Sequence, residues 1–309
     1  MSLDRLIEGI VRTQNPAVVG LDPTLDYIPG FLKEPFLAEF DDPMEGAAAA
    51  FLEYNKRIID AIYDIVPAVK PQAAYYEALG WQGVRALCET IRYAKGKGMF
   101  VITDGKRNDI GSTMKAYASA HLGTFEAAGK QAEPFGGDAL TVNGYLGTDG
   151  IAPLLEVCDE RDRGIFVLVK TSNPSSGEVQ DKLCGERTVY QMMGDLCETW
   201  GGEHLGKYGY SAVGAVVGAT YPEQLQELRL RLPHTFFLVP GYGAQGGSAA
   251  GIAGAFDERG LGAVVNSSRA VLTAWKKEGC DERDFAGAAR REALRMKEDL
   301  AAVNKAIHI

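Results

Sequence analysis

VITDGKRNDIGST, residues 101–113, is a run of β-forming residues that ends abruptly in charge, with Asp104, Lys106 and Asp109 inside six positions. On an extended strand successive side chains point to opposite faces, so Asp104 and Lys106 share one face and the chain turns with Asp109 just beyond. Three charges then converge at one strand end. A solvated strand end with a surface ion pair would have the same letters and contribute only about 0–1 kcal/mol. What decides between the two is where this strand sits among its neighbours.

Seven further β-rich apolar runs accompany it: AVVGL from 17, PAVK from 67, DALTV from 138, GIFVLV from 164, AVGAVVGA from 212, TFFLV from 235 and GAVVN from 262, with MFVIT from 99 leading into the quoted stretch. Between them lie amphipathic segments such as AAFLEYNKRIIDAIYDIV, QGVRALCETIRYAKGKG, TVYQMMGDLCETWGGEHL and YPEQLQELRLRL, which have the spacing of helices. Continuous apolar strands belong to parallel sheets covered on both faces, and eight strand-then-helix units close a barrel. The pattern predicts an α/β fold, a (β/α)8 TIM barrel forming a single domain over 1–309, with a final helix after Asp281. An open doubly wound sheet would want a glycine-rich dinucleotide turn after the first strand, and GLDPTLDYIPG lacks one. Two connections exceed the usual few residues, 23–66 after the first strand and 173–211 after the fifth, and read as insertions on the barrel.

Composition narrows the function classes. The net charge of -9 and the absence of a Lys/Arg-rich block leave no electrostatic footprint for nucleic acid or an anionic membrane, so neither is expected as a partner. MSLDRLIEGIVRTQ lacks the basic and long apolar regions of a signal peptide, and no segment reaches about 18 apolar residues, which points to a cytoplasmic protein. Cys88, Cys158, Cys184, Cys197 and Cys280 are scattered without a CxxC pair, as expected of reduced thiols.

Barrel sites lie at the carboxyl ends of the strands, so the residues that follow each run are the candidates. They are Asp22 after the first, Lys70 after the second, Asp104 and Lys106 after the third, Asn143 after the fourth, Lys170, Thr171 and Ser172 after the fifth, Thr220 after the sixth, and Ser267, Ser268 and Arg269 after the eighth. After the seventh comes PGYGAQGGS, 240–248, whose glycines let backbone amides approach an anion, with Gln245 as an extra donor. Barrels frequently hold phosphate between the seventh and eighth loops, and Arg269 closes the eighth strand. A phosphorylated substrate follows.

VITDGKRNDIGST carries the DxKxxDI signature of orotidine 5'-phosphate decarboxylases. The order GLDP, AVKPQ, DGKRNDI, TVNGYLG, VKTSNPSSG, VPGYGAQGG and NSSRAV resembles the longer bacterial branch of that family, from about residue 18 to 271. DxKxxD is shared with metal-dependent sugar-phosphate enzymes, which usually place an acidic metal ligand where this chain has Lys70. Gly144 departs from a frequent family proline in a turn. The resemblance implies decarboxylation of orotidine 5'-monophosphate to UMP, the last step of pyrimidine nucleotide synthesis, without metal or organic cofactor. It implies Lys106 as proton donor to C6, Asp104 near the departing carboxylate, and Lys70 and Asp109 completing an alternating charge network, with Asp109 supplied by the partner of a homodimer. By the same resemblance Asp22 and Thr113 serve the ribose, Ser172 the pyrimidine, and Gln245 and Arg269 the phosphate, with Pro240 also among the substrate-binding residues. Local structure offers plainer roles for two of these, a turn-forming Asp22 before Pro23 and a helix-capping Thr113.

Three other functions compete. VLVKTS, 167–172, resembles the lysine motif of Schiff-base aldolases, which would make Lys170 a nucleophile. A metal-dependent sugar-phosphate lyase would use the same DxKxxD residues. A noncatalytic phosphate-binding barrel would keep the glycine loop and Arg269 but has no need of Asp104, Lys106 and Asp109 together. His121, His204, His234 and His308 fall outside the strand ends and are expected to serve packing or the surface.

Overall fold

The fold is seen in a computed structural model that describes residues 2–242 and 249–309. Eight parallel strands close into a barrel: β1 Ala17–Leu21, β2 Ala68–Pro71, β3 Phe100–Arg107, β4 Ala139–Val142, β5 Gly164–Lys170, β6 Val213–Val217, β7 Phe237–Val239 and β8 Ala263–Ser267. Each pairs with its sequence neighbours and β8 closes on β1, so the barrel expectation holds strand by strand. Although the runs are apolar throughout, a period of two operates inside them. Val18, Ala68, Phe100, Ile102, Ala139, Phe166, Val216 and Val264 pack together, while Val19, Val69 and Val101 pack among helical residues such as Phe51, Tyr54, Ile58 and Ile91.

The amino-terminal helix Ser2–Thr13 closes the interior from below. Leu3, Leu6, Ile7 and Ile10, spaced as one helical face, join the inward strand residues and are at most 1% exposed. At the same end Asp138, fully buried just before β4, meets Arg5 at 2.8 Å, Arg163 at 2.7 Å and Lys95 at 3.4 Å, and accepts the Val101 N–H at 2.9 Å.

Both predicted insertions are present. Residues 23–66 hold the helix Gly30–Glu39 ahead of the barrel helix Pro43–Ile62, whose start is fixed by Asp42, accepting from Met44 N–H at 2.9 Å, and by Pro43 at its first position. Residues 173–211 hold a 3₁₀ turn, Pro174–Glu178, and a hairpin of Leu183–Cys184 with Arg187–Thr188. The helix Val189–Gly201 follows, opened by a reciprocal Thr188–Gln191 capping box. A further exposed hairpin, Phe125–Ala127 with Lys130–Ala132, precedes β4 and is not among the predicted insertions. Its strands have only three residues each, too short for periodicity to register. Among the described residues no helix is long and apolar enough to cross a membrane, and all five cysteines are free thiols.

Candidate active site

The inward alternation that fills the barrel continues to its carboxyl end, where the letters turn polar. Two residues beyond Ala68 is Lys70, two beyond Ile102 is Asp104, two beyond Ala139 is Thr141, and two beyond Val264 is Asn266. The carboxylate of Asp104, 6% exposed, is the centre of the group. Its Oδ2 accepts from Lys70 Nζ at 2.5 Å and Gln72 Nε2 at 2.9 Å, and its Oδ1 from Lys106 Nζ at 2.6 Å and the Thr141 hydroxyl at 2.8 Å.

Four donors on one buried carboxylate fix its charge state. Burial alone would raise the Asp104 pKa; the ammonium groups of Lys70 and Lys106 and their hydrogen bonds outweigh it and hold the carboxyl well below the usual range. Burial would likewise lower Lys70, but the Asp104 and Asp22 carboxylates carry it above the ordinary lysine value. The site therefore holds an ionised carboxylate between two lysines, one buried with its side chain 5% exposed and one, Lys106, 46% exposed.

Asp104 and Lys106 do meet, but not by simple alternation. The ladder between β3 and β4 shifts between Thr103 and Arg107, and Lys106 has φ +48°, a left-handed conformation that costs a non-glycine residue roughly 1–2 kcal/mol. The bulge re-aims the lysine while keeping it beside the carboxylate.

Asp104 and Lys70 open on a cavity of about 350 Å³ that Asp22, Ser172, Pro240 and Arg269 also line. Five sites predicted from scattered strand ends thus share one space with the third strand. The close approach of Ser172 depends on Gly218, where a Cβ would lie 3.0 Å from the Ser172 backbone nitrogen. Lys106 joins this group through Asp104 and does not itself line the cavity. Two further predicted residues are elsewhere. Asp109 turns its carboxylate onto the Ile110 N–H at 2.8 Å and makes no ion pair among the described residues, and Thr113 is exposed in the helix Gly111–His121. Neither lines the cavity, so the convergence of three charges reduces to two within this chain. Gln245 lies outside the described residues.

Lys170 is also accounted for. It is fully buried away from the cavity, with Nζ 2.6 Å from Asp181 and 4.4 Å from the Tyr221 ring centroid. Beside it the Gln180 side chain accepts from Thr171 N–H at 2.9 Å and donates to the Thr171 hydroxyl at 2.7 Å. This lysine clasps the 173–211 insertion onto β5, which leaves it no access to a substrate carbonyl. None of the four histidines lines the cavity, and among the described residues no three His, Cys, Asp or Glu side chains gather as metal ligands would.

Sequence reasoning missed Tyr27, Gln72, Tyr75, Thr141 and Asn266. Tyr27 comes from the loop after β1 and Tyr75 from the short helix Ala73–Glu77 after β2, and no local pattern encodes the return of either to the cavity. Thr141 and Asn266 were accessible, since each falls on the inward parity of its strand but was read as part of an apolar run. Asp22 Oδ1, Asn266 Oδ1 and Ser268 Oγ, all from cavity-lining residues, are shielded from solvent without a hydrogen-bond partner among the described residues. Buried polar atoms are normally paired, so these three are acceptors and donors that the described part of the fold does not use.

A closed parallel barrel with a lysine–carboxylate–lysine relay at its carboxyl end, beside a polar cavity flanked by an arginine, defines a barrel enzyme acting on a small anionic substrate. Comparison with known proteins sharpens the class. Residues 18–279 match the model of the orotidine 5'-phosphate decarboxylase / HUMPS family, and the chain belongs to that family. It is 48% identical over 300 residues to orotidine 5'-phosphate decarboxylase of Rhodopirellula baltica, covering 96% of this chain and 97% of that one. The enzyme of the same name from Caldicellulosiruptor bescii is 42% identical over 273 residues, 88% of this chain and 90% of its own. The solved structure of Leishmania donovani OMP decarboxylase superposes with a TM-score of 0.73 at 30% identity, covering 98% of both chains.

Proposed function

We infer that this chain decarboxylates orotidine 5'-monophosphate to UMP and carbon dioxide, with Lys106 delivering the proton to C6. The observation that carries the chemical part is the Asp104 carboxylate, held ionised between Lys70 and Lys106 at the cavity wall. As the C6–carboxylate bond breaks, its electron pair stays on C6, and the electrophile needed there is a proton from a fixed cation. The Lys106 ammonium gives that proton and, as the free amine, recovers one from solvent. Asp104 holds Lys106 charged and placed, and Lys70 holds Asp104. Two like charges near 4 Å at an effective dielectric of 20 repel by roughly 4 kcal/mol, so Asp104 also disfavours the substrate carboxylate relative to the product.

The other assignments rest on the cavity. Asp22, whose Oδ1 has no partner among the described residues, offers an acceptor to ribose hydroxyls, Ser172 faces the pyrimidine, Arg269 with Gln245 takes the phosphate, and Pro240 contributes to the cavity wall. Phosphate binding remote from C6 supplies energy for ordering the site around the ring.

Asp109 and Thr113 act in this account on a second copy. Beside Asp109 the surface is apolar, with Ile110 50%, Tyr145 82% and Leu146 44% exposed, and Gly150 packs against both the Asp109 carbonyl and Leu146. A homodimer that covers this patch carries Asp109 and Thr113 into the partner's cavity. We place the enzyme in the cytoplasm, in keeping with its free cysteines.

The test follows the ultraviolet absorbance of orotidine 5'-monophosphate with native protein and with Lys106→Ala. Decarboxylation by the first and loss of it in a folded second variant is the expected result; native inactivity, or an active variant, contradicts the reading. Mixing Lys106→Ala with Asp109→Ala, each inactive alone, should restore roughly a quarter of native activity after subunit exchange, because half the dimers are mixed and hold one intact site of two. No recovery after verified exchange contradicts the shared site.

A further inference from the structure

The strained turn at Lys106 needs something to hold it, and the strand ladder does not. Regular pairing of β3 with β4 stops after Thr103 and resumes only at Arg107. Within that gap the Lys106 N–H is 3.0 Å from the hydroxyl of Thr141, and the same hydroxyl donates to Asp104 Oδ1 at 2.8 Å. Thr141 is 1% exposed, so no water competes for either bond. Its neighbours Leu140 and Val142 are apolar and pack outside the barrel, whereas Thr141 has the inward parity of Ala139.

We propose that Thr141 is the positioning residue of the proton donor. The geometry makes one oxygen serve two ends of the same lysine. It accepts the main-chain N–H that the bulge removes from the ladder, which fixes the left-handed backbone of Lys106. It also orients the carboxylate oxygen that receives the Lys106 ammonium, so backbone and side-chain head are registered to one point. Among the described residues no other hydroxyl bonds Asp104, and a hydrocarbon of the same shape supplies neither bond. Thr141 acts through Lys106 and Asp104 and does not line the cavity, so its loss should alter the proton-transfer step and spare substrate binding.

This inference rests on Lys106 as proton donor, and the experiment separates the two. Thr141→Val keeps the shape and removes the hydroxyl; Thr141→Ser keeps the hydroxyl and removes a methyl group. For Thr141→Val we expect kcat to fall about 10²-fold, as misplacement of a reacting group by about an ångström does, with UMP affinity within threefold of native. Thr141→Ser should recover most of the rate. Thr141→Ala, which adds no bulk, makes the same comparison if the valine variant does not fold. A native kcat in Thr141→Val beside an inactive Lys106→Ala overturns the role of Thr141 and leaves the lysine standing. Equal losses of kcat and UMP affinity, or a serine variant as impaired as the valine one, also overturn it, because they mark general packing. An active Lys106→Ala removes the premise itself.

Discussion

Two buried carboxylates stand at opposite ends of neighbouring strands, and each gathers cations. Asp138, at the lower mouth, is met by Arg5, Arg163 and Lys95 and by the Val101 N–H. Asp104, at the upper mouth, is met by Lys70 and Lys106 with two neutral donors. The difference lies in the cations and in what lies beyond them. Arginine keeps its proton at any accessible pH and grips a carboxylate in a fixed fork, which suits a permanent tie between the amino-terminal helix, β3 and β4. Lysine is a point charge on a flexible stem that can give a proton away, and the upper cluster adjoins a cavity where Asp22 Oδ1, Asn266 Oδ1 and Ser268 Oγ have no partner among the described residues. Similar electrostatics thus do structural work at one end and chemistry at the other, in line with the division between the two faces of such barrels.

The comparison breaks if the two ends respond alike to substitution. The largest effect belongs to Lys106→Ala, for which kcat/KM should fall by about 10³-fold or more, while the midpoint of thermal unfolding moves little because the side chain is half exposed. Asp138→Ala should do the reverse. It leaves Arg163 buried without its main partner, so chemical denaturation should show a loss of about 3–5 kcal/mol, with near-native kcat per folded molecule.

Acidity sharpens the contrast at the upper end. Asp104 is held below its unfolded pKa, near 3.9, so the stability it contributes is present above that pH and disappears as pH falls through the folded value. Lys70 is raised above its unfolded value of about 10.4, so its contribution is complete below that pH and drains away as pH rises through the folded value. The stability difference between native protein and Asp104→Asn should be level from about pH 5 to 9 and shift in the variant's favour below about 4. A difference that is flat down to pH 2 contradicts an ionised, paired Asp104. The smallest effect is Arg5→Ala, where a pair 43% exposed on the arginine side should contribute no more than about 1 kcal/mol and leave turnover unchanged.

The sequence made the upper cluster legible because its residues sit at strand ends, where an apolar run stops and a charge is conspicuous. Lys70, Asp104, Lys106, Asp22, Ser172 and Arg269 were all readable that way. Thr141 was legible only through its inward parity, because threonine is an ordinary β-former and a single hydroxyl inside ALTV changes neither the periodicity nor the propensity of the strand. Tyr27 depends on the return path of a loop, and Tyr75 on where the short helix after β2 lies. The lower cluster was invisible for a related reason: Arg5, Lys95, Asp138 and Arg163 are far apart in sequence, and only closure of the barrel brings them together. Lys170 shows the opposite error. Its motif suggested a nucleophile, and its burial against Asp181 and Tyr221 makes it an anchor.

The central claim is that the upper cluster exists to hand a proton to C6, and by microscopic reversibility the same lysine must remove that proton from UMP. Hydrogen exchange at C6 of UMP in heavy water, followed by proton NMR with saturating enzyme, tests this directly. Exchange catalysed by native protein and by Asp138→Asn, and none above the enzyme-free background with a UMP-binding Lys106→Ala, is the predicted result. Exchange at the native rate in Lys106→Ala would contradict it.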